Sequence, residues 1–379
     1  MKKSLLALAV VAVAASANAA TVYDKDGTSL YLDGRVQSVF YNGNHGTAGK
    51  NDSSIQNSGR FGIGGKTQIT DWVAGLGYAQ WDVANGSKDE GFTARDQYVG
   101  ADFGEFGKVL AGRMLDSTYY AENVTDHYED AAGTVQGKFN GARRGGQLQY
   151  VYDNYGFYAQ LGAQTAQDSA RLIDADVVVN GTTYKKDTKF AVDSGFNGAL
   201  GYTFDDVLFG PLSFRAGYSY VKGQSGSDIT GENGTGFDNF KHANAGIAWG
   251  NLDSGFYAAA LYEYAKLNGV GQANGVTTDN NWKNKGFELA VGYAFDNGVS
   301  ALLGYEVSTV ESTYTDGKDK AKIKRVPLFV NYKINSNFNV WGEVGFNAGS
   351  DDRDEVAKVT GSSKKTDRAV WSLGARYTF

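Results

Sequence analysis

Nearly every stretch from Ser29 to Phe379 alternates apolar with polar residues. Successive side chains of a strand point to opposite faces, so a period of two prescribes strands with unlike faces. From Leu30, one face reads Leu30, Leu32, Gly34, Val36 and Phe40, and the other Tyr31, Asp33, Arg35 and Gln37. From Arg60, Phe61, Ile63, Thr67 and Ile69 oppose Arg60, Gly62, Gly64, Lys66 and Gln68. Similar rows follow at Phe196–Phe204, Leu212–Tyr220, Phe287–Phe295 and Val299–Val307. Composition agrees, with 51 Gly, 24 Tyr and 21 Phe. Gly weakens a helix by about 1 kcal/mol relative to Ala, and aromatics suit strands.

Which face points outward decides the fold class. A soluble sandwich also alternates, but its apolar face is inward and its outer face charged and lysine-rich. Here the polar face is small and sparsely charged, and the apolar rows end in Tyr, Phe or Trp. An apolar band flanked by aromatic girdles, around a polar interior, is the pattern of a membrane β-barrel. The amino-terminal segment fits that destination. Lys2 and Lys3 precede an apolar run from Leu5 to Ala15 and then Ala17-Asn18-Ala19. This is the pattern of a secretory signal peptide over residues 1–19, cut after Ala19. The mature chain, 20–379, has 379 − 19 = 360 residues and loses two lysines, so its formal charge becomes 34 − 42 = −8. It contains no run of ~18 apolar residues, as a membrane helix would need.

Connections alternate too. Short turns are expected at Thr70-Asp71, Asp153-Asn154, Asp296-Asn297-Gly298 and Ile334–Asn337, because Asn, Asp and Gly tolerate left-handed backbone. Long polar loops lie at Asn42–Asn57, Asp116–Gly141, Thr165–Asp193, Lys222–Asp238, Lys266–Asn284 and Ala348–Thr366. Pro211 and Pro327 are placed at strand starts or bends, where a missing N–H does least damage. Two ~10-residue strands with one turn and one loop take about 45 residues, so 360 residues give about 16 strands. Barrels of that size leave an aqueous channel. The expected fold is therefore an all-β, transmembrane antiparallel barrel of about 16 strands, without an appended domain.

Composition removes several functions. With no Cys there is no disulfide framework, CxxC site or cysteine zinc site. His45, His127 and His242 are the only histidines and lie far apart in sequence, so no metal site or cofactor is expected. The acidic balance argues against a nucleic-acid partner, which requires basic surface. Gly64-Gly65-Lys66-Thr67 lacks the earlier glycine of a phosphate loop, Arg60 standing in its place. Asn123, Asn180 and Asn233 begin sequon-like triplets, as chance allows in loops so polar. No nucleophile and base are arranged for catalysis, so no enzyme is expected.

The segments Val22–Gly27, Leu32–Arg35, Gly59–Gly62, Gly65–Ile69, Tyr78–Asp82 and Ala375–Phe379 carry a resemblance. Through them, over essentially the full mature length, the chain resembles the general, non-specific trimeric porins of Gram-negative bacteria, of the enterobacterial osmoporin type. The resemblance implies a homotrimer in outer-membrane lipid and a passive path for ions and small hydrophilic solutes. It also implies a pore narrowed by the third outer loop, folded inward. The basic wall cluster would then be Arg35, Arg60, Arg95 and Arg143, facing loop acids Asp126 with Glu129 or Asp130. Alternation independently puts Arg35, Arg60 and Arg143 on the lumen face. Arg95 begins a weaker strand in which it shares a phase with Gln97, against Tyr98 and Gly100. The family's usual Pro-Glu-Phe-Gly-Gly stretch is replaced here by Tyr128–Gly133, so which acid faces the arginines stays open. The closing row Trp371, Leu373, Ala375, Tyr377 and Phe379 resembles the terminal aromatic signal read by the outer-membrane assembly machinery.

Opposed charges across a narrow opening orient dipolar solutes and tune ion preference. The net −8 sets an expectation of weak cation preference. His127 could titrate near pH 6.5 and gate the pore, although an exposed loop histidine without a role is the simpler account. Asp351, Asp352, Asp354 and Glu355 could hold divalent cations or bridge lipopolysaccharide, or could be a solvated acidic loop. Two rivals stand beside the general pore. A pore selective for sugar, phosphate or oligopeptide would need an aromatic stair in the lumen, and an adhesin would use the long loops.

Overall fold

The computed structural model describes residues 19–45, 52–83, 91–133, 143–225, 234–272, 276–361 and 367–379. The leader read over 1–19, except Ala19, and Asn233 lie outside the described residues. Strands β1 (Ala20–Lys25) and β2 (Thr28–Tyr41) meet at Asp26-Gly27. Both turn residues have positive φ, which matches the twist of a two-residue hairpin. Next come β3 (Ser54–Gln68), β4 (Ala74–Val83), β5 (Thr93–Asp102) and β6 (Lys108–Met114). The one-turn helix α1 (Tyr119–Glu122) precedes β7 (Arg144–Asn154), β8 (Phe157–Gln164) and β9 (Gln167–Arg171). A small hairpin, β10 (Val177–Val179) and β11 (Thr182–Tyr184), precedes β12 (Lys189–Val207), β13 (Gly210–Gly223) and β14 (Asn239–Gly250). The chain continues through β15 (Gly255–Asn268), β16 (Asn281–Ala294), β17 (Val299–Tyr314), β18 (Gly317–Lys333) and β19 (Phe338–Asn347). Helix α2 (Arg353–Thr360) and β20 (Val370–Thr378) complete it.

Eighteen of these strands form one sheet, with β10–β11 apart. The short β1 and β9 are extensions, leaving 18 − 2 = 16 antiparallel strands. The ring closes where β20 pairs with β2, Arg35 opposite Thr378. Farther along β2, β1 takes the place of β20, with Ala20 opposite Leu32. At the junction Phe379 N–H donates to Gly34 O at 2.9 Å and Gly34 N–H to Phe379 O at 2.8 Å. A closed ring leaves no strand edge, so the backbone is satisfied without water, as a bilayer requires.

The apolar rows are the ones left uncovered. Leu200 is 58% exposed and Leu373 56%, whereas Asn197 is 3% and Glu263 0%. A sandwich would show the reverse, so the barrel expectation stands.

Local expectations needed revision. Asp153 and Asn154 belong to β7, and the turn is Tyr155-Gly156, with φ of 56° and 75°. Of the two places expected for proline, a strand start or a bend, Pro327 is not at a start but inside β18. There the β17–β18 ladder passes from Leu303–Leu328 to Glu306–Arg325, skipping the partners that a residue without N–H cannot serve. The segments read as polar loops at Thr165–Asp193 and Ala348–Thr366 contain β9–β11 and α2. These pack an apolar core on the outer ends of β12–β18, including Ile173, Val179, Phe237, Trp282, Val356 and Val359. Trp282 Nε1 donates to Val359 O at 3.0 Å, fastening α2 to β16. The run Val177-Val178-Val179 was the sequence trace of this core.

Candidate functional site

The inward face of β2–β7 carries a row of guanidinium groups. Arg35 and Arg60 are direct cross-strand partners on β2 and β3. Arg60 faces Asp82 on β4, and Arg60 Nε lies 2.9 Å from Asp82 Oδ1. Arg95 Nη1 lies 2.9 Å from Asp82 Oδ2, so one carboxylate bridges two arginines. Arg143 Nε lies 2.9 Å from Asp96 Oδ2. Arg35 has no ion pair among the described residues; its charged neighbours are Arg60, Arg376, Glu129 and Arg95. The structure thus brings all four sequence-derived arginines to one wall, together with two acids that alternation did not single out. Asp82 was legible, since it shares the inward phase of Tyr78 and Gln80.

Arg95 reaches this wall by a different route from the expected one. The pairing of β4 with β5 shifts between Ala79–Gln97 and Trp81–Ala94, inserting an extra residue in β5. The bulge lets Arg95 and Asp96 both turn inward. Beyond it, Tyr98 is buried and Gln97 and Val99 are exposed, so Gln97 lies on the outer face and the phase of β5 is opposite to the one expected.

Opposite this row, residues 115–133 run along the inward face of β12–β20. Glycines make the close approach possible. A Cβ at Gly217 would stand 2.8 Å from Thr118 Cα, and one at Gly246 would stand 2.9 Å from Ala121 O. Gly201, Gly304 and Gly345 similarly leave room for Tyr120, Tyr128 and Ala131. Hydrogen bonds hold what the glycines admit. Thr125 Oγ1 donates to Glu288 Oε2 at 2.7 Å, and Tyr257 O–H to Val124 O at 2.6 Å. Glu343 Oε2 accepts the N–H groups of Glu129 at 2.8 Å and Asp130 at 3.0 Å. Glu306 Oε1 accepts that of Gly133 at 2.8 Å. At its base, buried Asp116 pairs with buried Arg144 and accepts from Ser219 Oγ at 2.8 Å. Tyr120 stacks on Tyr158 at 3.7 Å, and Arg215 covers its other face at 4.9 Å.

The three loop acids diverge. Asp126 is exposed, follows buried Thr125 and accepts from Tyr119 O–H at 2.8 Å. Enclosure raises its pKa above the usual aspartate value; Tyr119 opposes this, Glu129 adds to it and Arg143 opposes it. Glu129 pairs with Arg376 on β20, its Oε1 accepting from Nη1 at 2.8 Å. Arg376 shares the inward phase of Gly374 and Thr378 and was not identified from sequence. Asp130 is turned to the wall, accepting from Tyr41 O–H at 2.8 Å and Ser372 Oγ at 2.6 Å. His127 contacts Tyr257 O–H at 3.1 Å, and burial first, then Arg215, pushes its pKa down to about 4. In the closing row, Trp371, Leu373 and Tyr377 are exposed outward. Phe379 is fixed through the backbone of Gly34.

A ring of 16 strands, apolar outside and charged within, defines a membrane channel. The chain belongs to the Gram-negative porin family, whose model matches residues 5–254. It is 28% identical over 406 residues to outer membrane protein S2 of Salmonella typhi, with all of both chains covered. It is 28% identical over 365 residues to outer membrane porin PhoE of Escherichia coli K12, spanning 92% of this chain and 93% of PhoE. The solved structure of Salmonella typhi OmpF in complex with daunomycin matches with a TM-score of 0.66 at 20% identity, covering 95% of this chain and 100% of that one. Members of the family are channels rather than enzymes. Among the described residues no helix is long and apolar enough to cross a membrane; the strands cross the outer membrane.

Proposed function

We propose that this chain is a general diffusion pore without catalytic activity, passing ions and small hydrophilic solutes between the arginine wall and the inward-lying third outer loop. The observation that carries the reading is the opposition itself. Arg35, Arg60 and Arg95 stand on β2, β3 and β5, with Arg143 just before β7, and the loop bearing exposed Asp126 runs along β12–β20. Asp82 and Asp96 neutralise much of the wall, so selectivity is modest. The net −8 has little weight here, because charges on outer loops farther than ~10 Å from the path are screened at 0.1 M salt. A sugar-selective pore would need free aromatic faces, and both faces of Tyr120 are occupied.

The same reading includes removal of residues 1–19, assembly through the C-terminal row by the outer-membrane machinery, and contact with lipopolysaccharide. It also includes a homotrimer. Gly65, Gly77 and Ala79 line a shallow outer depression on β3–β5, where small side chains permit close approach by a second copy.

Single-channel recording in a planar bilayer tests the pore. We expect triplet conductance steps and weak selectivity. Arg60→Ala and Arg143→Ala should raise conductance and shift selectivity toward cations, and Asp82→Asn should shift it toward anions by freeing Arg60 and Arg95. Correctly folded protein without conductance would overturn the pore. Unchanged selectivity in all three variants would overturn the assignment of the narrow zone.

A further inference from the structure

Behind the third outer loop lies a buried group of charges that the transport reading does not use. Glu122 ends α1, while His242 and Glu263 project inward from β14 and β15. Glu263 is paired with Asn244 and His242 with Ala265, so the two are diagonal neighbours, within reach for long side chains. His242 Nε2 lies 3.4 Å from Glu263 Oε1 and 3.6 Å from Glu122 Oε1. One ligand atom from each residue falls within 4.8 Å of the others. All three side chains are at most 1% exposed. Neither carboxylate oxygen of Glu263, nor His242 Nε2, has a hydrogen-bond partner among the described residues.

We propose that Glu122, His242 and Glu263 bind a divalent transition-metal ion of the zinc class, tying the third outer loop to the barrel wall. The inference goes beyond the pore reading and does not depend on it. The buried Glu263 carboxyl, with neither oxygen hydrogen-bonded among the described residues, requires either a proton or a bound cation, since an isolated buried ion is very costly. Arg144, a charged neighbour of His242, is already engaged by Asp116. A protonated His242 would supply one charge, and its Nε2 stands farther from both carboxylates than the 2.7–2.9 Å typical of an N⁺–H···O⁻ bond. Separations of 3.4 and 3.6 Å do fit two ligands on one ion. Zinc bonds of about 2.0–2.1 Å in a tetrahedron place neighbouring ligand atoms about 3.3 Å apart. One neutral imidazole, two carboxylates and a divalent cation also sum to zero charge. Mixed nitrogen and oxygen donors suit zinc and its neighbours better than magnesium or calcium, which favour oxygen alone. Sequence spacing concealed the site, because Glu122 is 120 residues from His242 (242 − 122).

As the three side chains are closed to solvent, loading is done during folding. The full chain is refolded from urea into detergent micelles with Zn²⁺, dialysed against a weak chelator, and its metal measured by mass spectrometry. We expect one zinc per chain, reduced at least tenfold in folded Glu263→Gln and His242→Gln. No retained zinc in folded wild type would overturn the proposal, as would equal retention in both variants, which would place the ion on surface acids. Should both variants fail to fold, X-ray absorption of the zinc-loaded wild type decides. One imidazole nitrogen among carboxylate oxygens supports the site; an all-oxygen shell overturns it.

Discussion

Arg143 and Arg144 are adjacent and chemically identical, yet they do opposite work. Arg143 pairs with Asp96 at the lumen surface with its side chain 20% exposed, while Arg144 is 1% exposed and engages Asp116 at the base of the loop. Removing one partner of a buried pair costs about 3–5 kcal/mol, because the other charge is left uncompensated. Arg143 is partly exposed, so lumen water screens its pair with Asp96 from one side and that pair contributes less. Arg144→Ala should therefore lower the urea midpoint of the folded barrel markedly, and Arg143→Ala should alter conductance with a smaller loss of stability. Equal midpoints would contradict the assignment of Arg144. His127 makes a second prediction at this scale. With its pKa pushed down to about 4, it is neutral from pH 5.5 to 8 and supplies no gate there. A depressed folded pKa adds stability above the ordinary value near 6.5, and that stability is lost as pH falls toward 4. His127→Gln should flatten this acid-side loss of stability and leave the pH dependence of conductance between 5.5 and 8 unchanged.

At the scale of the element, the loop is positioned by absence as much as by contact. Gly217 and Gly246 leave the space that Thr118, Ala121 and Val124 fill. A side chain at Gly246 meets Val124 Cγ2 at 2.8 Å and Ala121 O at 2.9 Å, so the loop must shift into the lumen. Overpacking of this kind costs about 1–3 kcal/mol. Gly246→Val should lower single-channel conductance, whereas Gly198→Ala, between outward-facing Phe196 and Leu200, should not. Equal conductance in Gly246→Val and wild type would mean that the loop does not rest there. The glycine excess was plain in composition, but the purpose of these glycines was not. Alternation tells which face a residue occupies, and Arg35 and Arg60 lie on the face it gave them, whereas a register shift between Arg144 and Gln147 separates Arg143 from the row used to place it. It cannot register an inserted residue, which is why Arg95 and Asp96 required the β5 bulge to be seen. Nor can it tell where a loop goes after leaving a strand, so Asp126, Glu129 and Asp130 looked equivalent until Arg376, Tyr41 and Ser372 separated them.

On the scale of the whole molecule, the two inward structures occupy the same side. Residues 115–133 lie against β12–β20, and the apolar core with α2 packs on the outer ends of β12–β18. On the wall of β2–β7, by contrast, Asp82 keeps 43% of its side chain exposed. Inward position on the opposite side does not confer contact with water, as Ser312 on β17 is 1% exposed. The chain has no cysteine, so single introduced thiols report without background. Asp82→Cys should react rapidly with a charged, water-soluble thiosulfonate added to the folded protein. Ser312→Cys should react at least tenfold more slowly, because burial keeps both reagent and thiolate out. If the two thiols reacted at equal rates, the outer core would be permeable and the path would occupy the full width of the barrel. Unequal rates would mean that a barrel of 16 strands conducts through one side of its interior, a restriction set by its loops rather than by its strand number.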